Sequence, residues 1–96
     1  MTKCRKPLSP HVDESKVHFD RTVISSSGTI YERCYAIDST DGEKYHFGDI
    51  ELFYGPYCKE GFVSFNPSDT VCMMEITTIE QILNRMKEIE KERVAR

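Results

Sequence analysis

Cys58 stands in the segment Gly55-Pro56-Tyr57-Cys58-Lys59, where a lysine beside the thiol would favour the thiolate and His46 would serve as base if the fold brought it near. That pairing is the sequence's nearest approach to a nucleophile. A cysteine next to a lysine is equally at home in an ordinary surface turn. Cys34, His46, Cys58 and Cys72 carry the ligand types of a zinc site but are spaced 12, 12 and 14 residues apart. Structural zinc sites usually draw two ligands from one close pair, so these four would have to be gathered wholly by tertiary structure. Asp49 and Glu51 lie two apart, on one face of a strand, where they could act as acid and base or hold a hard cation. A solvated acidic edge accounts for them as well. Ser25, Ser26 and Ser27 lack a Gly-x-Ser-x-Gly elbow, and the five glycines are scattered singly, without a phosphate-cradling loop. We therefore expect no catalytic residue, no metal and no cofactor, with a small enzyme or enzyme subunit using Cys58 and His46 as the alternative.

The elements that would position these residues follow from length and pattern. A chain of 96 residues, 39% hydrophobic and 30% charged, suits one small folded domain of modest stability. Pro7 and Pro10 lie in a polar stretch without periodicity, so residues 1–12 read as a basic, weakly ordered arm (Lys3, Arg5, Lys6) and 13–96 as the domain. Val17, Phe19 and Val23 alternate with His18, Asp20 and Thr22, the signature of a half-buried strand interrupted at Arg21. Ser25-Ser26-Ser27-Gly28 is turn chemistry. In the next strand, Ile30, Cys34 and Ala36 share one face, and Asp41-Gly42 signals a second hairpin. Glu43 to Tyr54 reads as a strand region bent or broken at Gly48. Gly55-Pro56 interrupts the ladder, Lys59-Glu60-Gly61 closes a loop, and Phe62 to Phe65 resumes it.

Thr70 to Ile76 reads as a last, central strand, with a near-continuous apolar run. The period then changes. The spacings Thr77 to Glu80 and Thr78 to Gln81 suit capping boxes, and Ile79, Ile82, Leu83, Met86, Ile89 and Val94 form an apolar stripe for packing on the sheet. The fold class expected is α+β: a small antiparallel sheet of five or six short strands against one C-terminal amphipathic helix.

No run of 18 apolar residues occurs, and the first residues lead into no apolar leader, so a cytoplasmic location without membrane contact is expected. Asn66-Pro67-Ser68 carries proline where glycosylation forbids it. Four cysteines could pair in three ways, and we read them as thiols. The net charge of −3 argues against direct nucleic-acid binding, which runs on Lys and Arg.

The middle of the chain is acidic, with Asp38, Asp41, Glu43, Asp49 and Glu51 against Lys44 alone, and dense in rings from Tyr45 to Phe65. Tyrosine beside acids makes a protein-binding surface, because the ring buries area at low entropic cost while the hydroxyl keeps a hydrogen bond. The function expected is a non-catalytic protein-binding module docking through Asp41, Glu43, Tyr45, Asp49, Glu51, Phe53, Tyr54 and Tyr57. If the partner normally holds nucleic acid, these carboxylates would occupy its Lys and Arg, as in a small regulatory or inhibitor protein of the phage anti-defence kind. A homodimer through the helix stripe or an edge strand is a further expectation.

Overall fold

The computed structural model of the chain describes residues 16–69 and 74–95. The expected arm at 1–12 and residues 70–73 of the expected last strand lie outside the described residues. Strands β1 (His18–Val23), β2 (Ile30–Ile37), β3 (Lys44–Gly55) and β4 (Cys58–Pro67) are followed by helix α1 (Ile76–Val94). The strands pair in chain order as an antiparallel meander.

The α+β class is as expected, but the sheet has four strands among the described residues rather than five or six. Local features at three places set this arrangement. Gly48 does not break the strand: the register shifts by one residue, so that Gly48 faces Cys34, His46 faces Tyr35 and Phe47 is the extra residue of a bulge. A Cβ at Gly48 would sit 2.4 Å from the Asn66 carbonyl oxygen, so glycine is what lets β3 and β4 close here. Pro56 and Tyr57 form a tight turn, which returns Lys59, Glu60 and Gly61 to β4. Met74 and Glu75 carry no strand pairing, and Ile76 already belongs to the helix.

Helix α1 is N-capped by Glu75, whose side chain makes no capping bond, so both expected capping boxes fall inside the first turn. Gln81 is used differently. Its Oε1 accepts the Val17 amide at 2.8 Å and its Nε2 donates to the Thr77 carbonyl, which ties the entry of β1 to the helix. Thr78, Ile82 and Ile89 are buried against the sheet and Met86 packs beside them, whereas Ile79, Leu83 and Val94 of the expected stripe remain exposed.

Ile30, Cys34 and Ala36 from β2 meet Tyr45, Phe47, Ile50 and Leu52 from β3 beneath Ile82 and Ile89. Burial of each large aliphatic or aromatic group contributes about 1.5–3 kcal/mol. Gln81 reaches Val17, and Glu92 reaches Arg21 further along β1, so the helix runs in the direction of β1 while lying over β3 and β4. Among the described residues no helix is long and apolar enough to cross a membrane.

Candidate functional site

Helix α1 covers one face of the sheet, and among the described residues no element covers the other. Strand alternation then decides which side chains meet solvent. On the open face, Asp20 and Asp49 lie opposite Arg33 from the two neighbouring strands, and Tyr31 lies between Thr22 and Glu51 in the same way. Asp20, Thr22, Tyr31, Arg33 and Asp49 line a shallow groove of about 440 Å³.

The groove is a web of mutual contacts. The Arg33 Nε lies 3.9 Å from Asp49 Oδ1, and His46 Nε2 lies 3.1 Å from the same oxygen. Tyr35 stacks on His18 with ring centroids 5.2 Å apart and donates its hydroxyl to Asp20 at 3.3 Å. Lys44 sits over the Tyr35 ring, 4.5 Å from its centroid, and reaches Asp20 at 3.5 Å. Glu51 accepts a hydrogen bond from Asn66 at 3.1 Å, and its bond and charge push the Tyr31 phenol above its ordinary range. The carboxylates therefore enter any encounter already partly satisfied, with Arg33 and Lys44 offsetting part of their charge.

Beyond Glu51 the open face turns apolar. Phe53 and Phe62 are direct partners across the β3–β4 ladder, with ring centroids 5.8 Å apart and planes tilted by 52°. They are 36% and 51% exposed. The Phe53 ring folds along its strand over Gly55, where a Cβ would come within 2.8 Å of it, so the glycine leaves room for the ring.

The eight residues expected to form the docking surface are distributed over the molecule. Asp49, Glu51 and Phe53 share the open face. Asp41 and Glu43 are exposed in the β2–β3 turn, where Asp41 Oδ1 accepts the Glu43 amide. Tyr57 is fully exposed in the β3–β4 turn at the other end of the sheet. Tyr45 is 5% exposed within the core, and Tyr54 packs against that core near Arg93 and Val94 of the helix. His46 and Cys58 are not brought together: His46 is near the start of β3, and Cys58 pairs with Gly55 at its end, about 30 Å away at strand rise. Burial pushes the Cys34 thiol up to about 12, which leaves it protonated. Among the described residues, no three His, Cys, Asp or Glu side chains gather as metal ligands.

The expected docking residues leave out Phe62 and Arg33 on the open face and, beneath the helix, a cluster around Glu32. Glu32 is buried on the helix side of β2, with a side chain 1% exposed. Arg85 grips it with two bonds of 2.6 Å, Arg21 adds a third at 2.7 Å, and Glu92 closes the chain by holding Arg21 at 3.0 Å. Burial alone would raise the Glu32 carboxyl; the hydrogen bonds and charges of Arg85 and Arg21 outweigh it and hold the group below its ordinary value. The signals were present: Glu32 falls between Ile30 and Cys34 on an apolar face, and Arg21 interrupts the alternation directly opposite it.

Comparison of the chain with protein-family models, curated proteins and solved structures finds no match, so its own side chains carry the functional argument.

Proposed function

We propose that the chain is a non-catalytic protein-binding module that docks through the open face of its sheet. The observation that carries this reading is the exposed Phe53–Phe62 ring pair, standing on the face opposite the helix beside Glu51 and Asp49. Paired rings on a rigid ladder lose little freedom on binding and make efficient anchors, while a flanking polar border supplies orientation. Tyr57 at the adjoining turn extends the apolar end, and Asp20, Asp49 and Glu51 give the remainder an acidic bias. The matching partner is a protein offering an apolar recess bordered by Lys or Arg. A nucleic-acid-binding protein presents such cations, and by covering them this chain would act as its inhibitor.

Affinity purification from the native host tests the reading with three versions of the chain. A partner recovered with the wild type and with Lys91→Ala, an exposed helix position, should be lost with Phe62→Ser. Its recovery should also fall with added salt, because the flanking charges are solvated. Undiminished recovery with Phe62→Ser overturns the proposal.

A further inference from the structure

The helix carries more apolar surface than the sheet below it covers. At about 100° per residue, Thr78, Ile82 and Ile89 point down to the sheet, Arg85 and Glu92 turn toward β2 and β1, and Arg93 turns toward β4, where its Nη1 meets the Glu60 carbonyl at 3.1 Å. Continuing round beyond Arg93 come Ile79, Leu83 and Ile76, which are 47%, 46% and 74% exposed. This second stripe overhangs the outer side of β4. Among the described residues β4 pairs only with β3, and no described strand lines its other edge, directly beneath the stripe.

We infer that this ledge is the contact between two copies of the chain, joined by a two-fold axis that pairs β4 with β4 of the second copy and α1 with its α1. The dimensions agree. The helix lies over β3 and β4, so its axis stands about one strand spacing, about 4.8 Å, from such an axis. The two helices would then lie about 10 Å apart, at the upper end of ordinary helix packing. The direction agrees as well: α1 runs with β1 and therefore against β4, so antiparallel β4 strands bring the helices together antiparallel.

The charges beside the stripe are self-complementary. Glu80 and Lys87 are both exposed and share one border of it. An antiparallel pairing centred between Leu83 and Asn84 sets Glu80 of each copy opposite Lys87 of the other, twice by symmetry. Leu83 then meets its counterpart between the two ion pairs, with Ile79 of each copy just outside them. A partner unrelated to this chain would not need that reciprocal arrangement.

Sedimentation analysis of the purified chain over micromolar concentrations is the test. The wild type should sediment with twice the chain mass of 11.2 kDa. Leu83→Glu, at an exposed position, should sediment as the single chain with an unchanged far-UV circular dichroism spectrum. Glu80→Lys and Lys87→Glu should each weaken association at least tenfold, and the two together should restore it. A wild type that stays monomeric throughout, a Leu83→Glu variant that still dimerises, or a double reversal that fails to restore association overturns the inference. Amide exchange supplies a separate readout: β4 should gain protection as the dimer forms, and protection independent of concentration likewise overturns it.

Discussion

Arg21 faces Glu32 directly across the β1–β2 ladder, and its Nε lies 2.7 Å from the Glu32 Oε2. With Arg85 bound to both oxygens of the same carboxylate, one buried acid joins two strands and the helix. The arrangement fixes what loss of that acid would do.

Glu32→Gln leaves Arg85 and Arg21 without their shared counter-charge. Breaking a fully buried pair typically costs about 3–5 kcal/mol, but the two arginines are 28% and 33% exposed and recover part of that from water, so we expect about 2–3 kcal/mol. Urea unfolding followed by circular dichroism measures it. A loss under about 1 kcal/mol would show that the cluster does little for stability.

The same carboxylate sets an acid limit. Its folded pKa lies below the ordinary value, so its stabilisation is complete above that value, 4.5, and is lost as pH falls through the depressed folded value. Urea midpoints should therefore be flat near neutrality and decline below about pH 4.5. Glu32→Gln should decline less over that interval, and parallel curves for the two proteins would contradict the assignment.

Two of the cysteines should differ sharply in reactivity. Cys58 is partly exposed in a hairpin, while Cys34 is buried with its thiol pushed up to about 12. Alkylation at pH 8 followed by peptide mapping should modify Cys58 readily and Cys34 only after denaturant is added. Equal labelling of the two in the folded protein would refute the burial argument.

Gly48→Ala should cost roughly 2–3 kcal/mol, because the added carbon meets backbone on β4 rather than a side chain that can move aside. Phe62→Ala, by contrast, removes a half-exposed ring and should cost under about 1 kcal/mol while abolishing partner binding. Thermal unfolding of both variants in parallel separates the structural glycine from the surface ring.

Two of the three hairpins and the helix are legible in the sequence because turn residues and periodicity are local properties. Asp41-Gly42 and Ser25 to Gly28 do join paired strands. Strand number was less legible, since Gly48 and Gly55-Pro56 look like interruptions unless the neighbouring strand is known. The docking surface depended on which way each ring points. Tyr45 and Tyr54 are chemically as suited to an interface as Tyr57, yet the bulge at Phe47 and the end of the helix decide their sides. Glu32 and Arg21 could be linked only through the strand register.

The Glu32 cluster also settles where the helix can rest. Sliding α1 by one turn would bring position 81, 82, 88 or 89 to the place of Arg85, and these hold Gln, Ile, Glu and Ile. None can neutralise the acid. Apolar side chains tolerate a shifted fit at modest cost, whereas a sequestered carboxylate stripped of its bidentate guanidinium does not. The cluster thus works as an index mark, admitting one seating of the helix on the meander and rejecting its near neighbours.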